Sequence, residues 1–414
     1  MSNKQVLYLS YDGMTDPLGQ SQVLPYIVGL TKKGYKFTLI SCEKKERHLQ
    51  NRTIIQQICT EHNIDWQPIF YTKKPPVLST IWDIVQLNKK VKQLHQQKQF
   101  QLIHCRSYIT ALIGLGFKQK HQVKFLFDMR GFWADERVDG NIWDLSKPHF
   151  KWIYNFFKQK EKAFLEHADK VVSLTESGKT EMLTWHIPDL TADKIEVIPC
   201  AADYEVFNLV TDEKRKTAKL NLGLKPSQFV LNYIGSLGTW YLADEMLQFF
   251  SVLKQQVPDA KFLFLTPDSK ESVIEKAKKY NIKAEDLIIK FSQRAAIPQY
   301  AHAADFSIFF IKPMYSKKAS SPTKMGELMA MGIPLICNNN VGDVEAIMNK
   351  CNAGFCLQEM NETSYQATLQ KMNETNFNSP SGIRECSKAF YDLENGLTSY
   401  LSTYNELTED ISNE

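Results

Sequence analysis

Short apolar runs recur along the chain, each followed by a stretch in which apolar residues return every three or four positions. In the first half these runs fall at 6–10, 37–41, 102–105, 123–128, 170–174 and 195–199. Their length and their Val, Ile, Leu and Phe content suit strands covered on both faces, and the alternation with helical patterns predicts parallel, doubly wound sheets. A polar segment rich in Lys and Asp occupies 203–228, after which the alternation restarts at 229–234, 261–265, 287–291, 306–311 and 335–337. The pattern predicts an α/β protein of two Rossmann-like domains facing a cleft, 1–205 and 206–382. A last helical stretch, about 383–407, has no strand after it and is expected to pack back on the N-terminal domain as part of a segment 383–414. Only the tail after Thr408 reads as disordered.

Composition narrows the function classes. The 414 residues carry 50 Lys and Arg against 46 Asp and Glu, a net charge of +4, which argues against a nucleic-acid binder. Eight cysteines lie scattered without the paired spacings of a zinc site or a disulfide scaffold, and read as reduced thiols of a cytoplasmic protein. No apolar run approaches the length of a membrane span, so membrane attachment is at most peripheral, at the inner face.

The most informative segment is 320–337, Ser-Ser-Pro-Thr-Lys-Met-Gly-Glu-Leu-Met-Ala-Met-Gly-Ile-Pro-Leu-Ile-Cys. Ser321 suits an N-cap, Pro322 the first helical position, and Gly332 the end of the helix before a strand. Lys324 then stands in the first turn. A cation there opposes the helix dipole at a cost of roughly 0.3–1 kcal/mol, while the same terminus offers free N–H groups to an anion. A bound phosphate accounts for both features. The plainer alternative is a surface pair between Lys324 and Glu327, although Lys N-terminal to Glu is the weaker orientation. The loop Gly235-Ser-Leu-Gly-Thr-Trp-Tyr241 follows the first strand of the second domain. Gly235, Ser236 and Thr239 at a helix entry suit a diphosphate, with Arg294 as a second positive charge.

In open α/β sheets ligands bind beyond the carboxyl ends of strands, which singles out two loops of the first domain. Residues 11–21 contain Gly13, Gly19 and Gln20; the glycines either let backbone approach a ligand or merely reverse the chain. Residues 127–137 read Phe-Asp-Met-Arg-Gly-Phe-Trp-Ala-Asp-Glu-Arg. Period-two geometry puts Asp128 and Arg130 on one side of the strand, as a structural ion pair or as substrate-facing groups. Asp135, Glu136 and, after an earlier strand, Arg106 share that ambiguity. Gly178-Lys-Thr180 imitates the end of a phosphate-binding P-loop, but Ser173 replaces the required first glycine, and Ser177 reads as an ordinary N-cap. No Asp-x-Asp occurs, so a metal-bridged diphosphate has no obvious ligands. Two basic regions, 73–76 with 88–98 and 150–162, are solvated faces of packed helices or contacts to an anionic membrane surface.

Together, Ser-Pro-Thr-Lys-x-x-Glu-x-x-Ala-x-Gly-x-Pro at 321–334, Asp-Pro-Leu-Gly-Gln-Ser-Gln at 16–22, Val-Ile-Pro-Cys-Ala-Ala-Asp at 197–203 and Val341-Gly-Asp343 resemble family-4 glycosyltransferases of GT-B fold, in order over nearly the whole chain. The resemblance implies retaining, metal-independent transfer of a sugar from a nucleotide diphosphate donor to a glycan or lipid-linked acceptor, with no further cofactor. Glu327 would hold the ribose hydroxyls. Lys324, Arg294 and the amides near Gly235 and Ser236 would neutralise the diphosphate, with Thr239, Ser320, Ser321 and Gly342 beside them. The acceptor would enter over the first domain, near Gly13, Gly19, Gln20, Arg106, Asp135 and Glu136. Two departures stand out. The first Glu of the family's Glu-x7-Glu pair falls at Ala319, leaving the Ser320 and Ser321 side chains or local backbone amides as substitutes. The His that many members carry is missing from the loop holding Asp128, Met129 and Arg130, which makes Asp128 the first candidate for a general base. Alternatives on the same fold are a nucleotide-sugar 2-epimerase and a non-catalytic nucleotide-binding scaffold.

Overall fold

The computed structural model describes residues 4–409 except 76, 122, 373 and 375. The chain divides into two units, Met1–Pro199 with Leu393–Glu414, and Cys200–Asp392. In the first, seven strands form one sheet: β1 Gln5–Ser10, β2 Lys36–Glu43, β3 Asp65–Phe70, β4 Leu102–Arg106, β5 Lys124–Asp128, β6 Lys170–Ser173 and β7 Ile195–Val197. Their order is β3-β2-β1-β4-β5-β6-β7 and every pairing is parallel. The second unit repeats the plan with β8 Val230–Ile234, β9 Lys261–Leu265, β10 Leu287–Lys290, β11 Phe306–Phe309, β12 Leu335–Asn338 and β13 Gly354–Leu357. Here the order is β10-β9-β8-β11-β12-β13, again parallel throughout. Both sheets are the doubly wound form expected from the alternation.

The centres of both sheets are apolar-rich strands, β1 and β8, buried almost from end to end, with Asn232 the one polar residue inside β8. Two strands escape the sequence pattern, and both lie at sheet edges. β3 is interrupted by Pro68 and buries only Trp66, its other residues being half-buried or exposed at the edge of the sheet. β13 has four residues and starts on Gly354, whose φ of +132 no other residue adopts easily.

The boundaries also shift. The first unit ends at Pro199, six residues before the expected break. The last helical stretch is two helices, Pro380–Tyr391 in the second unit and Leu393–Glu409 in the first. Asp392 takes an extended backbone between them, and the Ala202 N–H donates to the Tyr391 carbonyl at 2.8 Å. Leu393–Glu409 packs on the helix Leu24–Lys32, where Gly29 leaves room for Leu397. The expected tail ends outside the described residues from 410 onward, as does Pro76 at the end of the first basic loop.

One expectation is overturned by packing. Cys351 and Cys386, 35 residues apart, are joined in a disulfide that links the helix Val344–Cys351 to Pro380–Tyr391, so not all eight thiols are free. Among the described residues no helix is long and apolar enough to cross a membrane.

Candidate functional site

Strand order reverses between β8 and β11 in the second sheet, and a crevice opens where the loops leaving such neighbouring strands diverge in opposite directions. The loop after β8 is fixed to the segment after β11 by a bridge between Tyr241 and Ile311 and by Leu242 N–H to Phe310 O at 2.9 Å. Asn338, at the end of β12, clamps Ile311 from both sides, accepting its N–H at 2.8 Å and donating to its carbonyl at 3.0 Å. Into this braced corner the helix Thr323–Ala330 brings Lys324 and Glu327.

Lys324 is buried, and its ammonium makes no hydrogen bond among the described residues. It lies instead over two aromatic faces, 3.5 Å from the centre of the Tyr241 ring and 4.2 Å from that of Tyr233. Burial holds its pKa well below the ordinary lysine value, against the opposing pull of Glu327. A Cβ on Gly235 would come within 3.0 Å of Lys324 Nζ, and Gly235 has a φ of +116. Glycine is therefore required there twice, for the backbone and for the space beside the ammonium. Ser236 and Thr239 are exposed on the same loop. Its base is held by Tyr233 O–H to Ser236 O at 2.6 Å and by Leu237 N–H to Asp268 Oδ2 at 2.6 Å.

Glu327 is not paired with Lys324 on the surface. Arg294 donates to its Oε1 through Nε at 3.0 Å and Nη2 at 2.7 Å. Burial pushes the Glu327 carboxyl up, while Arg294 pulls it down. Both bonds use Oε1, so Arg294 leaves Oε2 out of the pair.

The helix start differs from the sequence expectation by one residue. Pro322 itself is the N-cap and Thr323 the first helical residue, while Ser321 Oγ accepts the Cys200 N–H at 3.2 Å instead of capping. Gly332, at φ +73, does end the helix, and a Cβ there would meet the Pro380 carbonyl oxygen at 2.4 Å. Ala319 is buried at the end of the 3-10 turn Tyr315–Ala319, whose neighbour Ser320 is half-buried. That turn is tied by Gly342 N–H to Lys317 O at 2.8 Å. Ser177 is not the cap of its helix either; Thr175 Oγ1 accepts the Gly178 N–H at 2.9 Å.

In the first sheet the reversal lies between β1 and β4. Gly13 and Gly19 serve packing. A Cβ on Gly13 would strike Glu43 at 2.6 Å, and one on Gly19 the Gly13 carbonyl at 2.2 Å. Glu43, fully buried and not foreseen from sequence, accepts Met14 N–H at 2.7 Å, Thr15 N–H at 3.1 Å and the Ser41 and Thr15 hydroxyls. Gln20 is exposed and donates to Thr15 O at 3.2 Å.

Asp128 and Arg106 end β5 and β4 in register with one another. Asp128 is buried among Arg106 Nη1 at 3.7 Å, Arg130 Nη1 at 3.8 Å, His104 Nε2 at 3.5 Å and the Tyr400 hydroxyl at 3.3 Å. Burial alone would raise its pKa, but Arg130, His104 and Arg106 outweigh burial and hold the carboxyl below its usual range. It is thus a counter-ion at neutral pH, and a poor proton acceptor. Arg130 adopts φ +57, in the left-handed region that few non-glycine residues occupy. Asp135 is likewise buried, accepting from the Tyr154 hydroxyl at 2.8 Å and Lys158 at 2.8 Å. Glu136 lies half-buried on the same short helix, Trp133–Asp139. The last helix contributes more than packing: Tyr404 O–H bonds His104 Nδ1 at 2.7 Å. Sequence reading missed Tyr233, Tyr241, Glu43, His104, Tyr400 and Tyr404. Of these, Tyr241 closes the quoted loop, and Tyr233 lies two residues before Gly235, on the glycine's side of the strand.

Known proteins sort the two units in the same way. The family model described as Glycosyltransferase Family 4 matches residues 22–206, and that described as Glycosyl transferases group 1 matches residues 214–387. Among solved structures, sucrose-phosphate synthase from Thermosynechococcus elongatus superposes with a TM-score of 0.72 at 15% identity, covering 98% of this chain and 100% of that one. A glycosyltransferase from Rickettsia africae ESF-5 gives 0.68 at 16% identity, covering 98% and 99%. The Anabaena protein HepE in complex with UDP-glucose gives 0.66 at 13% identity, covering 99% and 100%. No curated protein matches the sequence.

Proposed function

Because this chain belongs to the family-4 glycosyltransferases of GT-B fold, we propose that it moves a sugar from a nucleotide diphosphate donor to a glycan or lipid-linked acceptor, with retention and without a metal ion. The observation that carries this reading is the Lys324 ammonium, buried without a hydrogen-bond partner among the described residues at the strand-order reversal of the second sheet. An isolated buried cation is costly unless an anion joins it, and perturbed groups of this kind mark functional sites. The similar Anabaena structure holds UDP-glucose, which favours a uridine diphosphate sugar as the donor.

Glu327 Oε2, outside the Arg294 pair, would accept the ribose hydroxyls. Lys324 and Arg294 would neutralise the diphosphate as the glycosidic bond breaks, the electrostatic stabilisation on which such leaving groups depend. The Gly235 and Ser236 amides, with Thr239, Ser320 and Gly342 beside them, would complete the cradle; Ser321 is already committed to Cys200. In the first unit, the loop carrying Gln20 and the segment with Glu136 would meet the acceptor. Asp128 is replaced as candidate base: its depressed pKa makes it the charge that orients Arg106 and Arg130. An oxygen of the donor phosphate would instead take the acceptor proton, on the face from which the diphosphate leaves.

The test is product stereochemistry. Incubation with UDP-sugars and a glycan or glycolipid acceptor panel should release UDP only with acceptor present, and proton NMR should show the donor's anomeric configuration preserved. Inverted product would refute retention; isomerised donor without acceptor would indicate an epimerase.

A further inference from the structure

The helix Leu78–Lys98 is inside out over its first two turns. Leu78, Ile81, Trp82 and Val85 are 64, 52, 57 and 52% exposed, whereas Ser79 and Asp83 face inward and are buried. The inversion has a local cause: Asp83 Oδ2 accepts the Tyr11 hydroxyl at 2.9 Å and the Thr72 N–H at 3.1 Å. From Leu87 onward the ordinary polarity returns, with Leu87, Val91 and Leu94 buried. The outward stripe continues through Lys89 and Lys92, both exposed.

Single exposed apolar residues need no explanation, but four at spacings of three and four form one continuous face. Lys73 and Lys74 are exposed just before the helix, and the only acid between 73 and 98 is the buried Asp83, against six lysines. The stripe thus joins Leu, Ile, Trp and Val to a cationic border, the combination that lies in the plane of an anionic lipid surface, with Trp at the headgroup level. We propose that the first turns of Leu78–Lys98 dock this protein on an anionic bilayer, with Leu78, Ile81, Trp82 and Val85 inserted and Lys73, Lys74, Lys89 and Lys92 on the headgroups. A second copy is the poorer occupant. A two-fold contact would press the same cationic border against itself, with no exposed acid in the segment to answer it.

The experiment uses the full chain and sedimentation with phosphatidylcholine vesicles, with and without phosphatidylglycerol. The wild type should sediment with the anionic vesicles, weakly with the neutral ones, and less as salt rises. The I81Q/W82Q variant should lose about tenfold or more of that affinity while keeping its melting temperature. Lys89→Glu with Lys92→Glu, on a solvated face, should lose binding to anionic vesicles and decides the matter if I81Q/W82Q fails to fold. The proposal is overturned if the wild type stays in the supernatant, or if a folded variant binds as the wild type does. It is also overturned if light scattering shows a dimer that I81Q/W82Q dissolves and vesicles do not bind.

Discussion

The Lys324 ammonium lies 3.5 Å from the centre of the Tyr241 ring, covered by an aromatic face where a hydrogen-bonding partner would be expected. Ring faces recover about 0.5–2 kcal/mol for a desolvated cation, less than the several kcal/mol that its burial costs. The unliganded protein therefore carries a deficit at this residue. Lys324→Met should raise the stability of the unliganded protein by about 1–2 kcal/mol at neutral pH, while abolishing the gain in melting temperature that nucleotide diphosphate gives the wild type. Thermal melts with and without ligand read both effects.

The same residue gives donor binding a pH dependence. A diphosphate restores the charged form, so the lysine pKa is higher in the complex than in the free protein, where burial lowers it. Below the free protein's depressed pKa both states are protonated and affinity is flat. As pH rises from there towards the ordinary lysine value, binding must take up a proton and affinity falls, by up to tenfold per pH unit. Calorimetry in buffers of different ionisation enthalpy should detect that proton in the wild type and not in Lys324→Met.

Glu327 and Lys324 separate the two halves of the ligand. Glu327→Gln should weaken a nucleoside diphosphate about tenfold or more, through the ribose, but leave inorganic diphosphate within about threefold, since hydrogen bonds to charged groups contribute about 1.5–3 kcal/mol. Lys324→Met should weaken both. Equal losses with both ligands for Glu327→Gln would assign that residue to the diphosphate.

In the first unit Asp128 is the buried negative charge beside Arg106 and Arg130, with Arg106 also 3.5 Å from Asp12. Asp128→Asn removes the buried negative charge that lies between Arg106 and Arg130 and should cost about 3–5 kcal/mol of stability. Its folded pKa lies below the unfolded value, so its contribution is present above the unfolded pKa and is lost as pH falls through the folded one. Denaturant melts should accordingly show the difference between wild type and variant shrinking in acid.

Much of this was legible in the chain. The buried central strands announce themselves because both faces are covered and most positions are apolar, as in β1 and in β8, where only Asn232 is polar. The edge strands β3 and β13 do not, because Pro68 and Gly354 read as breaks. Lys324 stood out as a cation at the wrong end of a helix, and Gly332 as its terminator. What spacing cannot convey is which groups meet across the fold. The Arg294–Glu327 pair joins residues 33 apart, and the Tyr400–Asp128 contact joins residues 272 apart. Asp128 looked available at the end of its strand; four neighbours from β4, its own loop and the last helix enclose it.

The central claim is that the corner carrying Lys324 holds the diphosphate of a nucleotide sugar. Titration calorimetry of UDP, GDP, ADP and CDP against wild type and Lys324→Met tests it most directly. At least one diphosphate should bind the wild type more tightly than its bare nucleoside, and Lys324→Met should weaken it about tenfold or more, one charge-assisted contact contributing about 1.5–3 kcal/mol. Failure of all four to bind the wild type, or undiminished binding to Lys324→Met, would contradict the account.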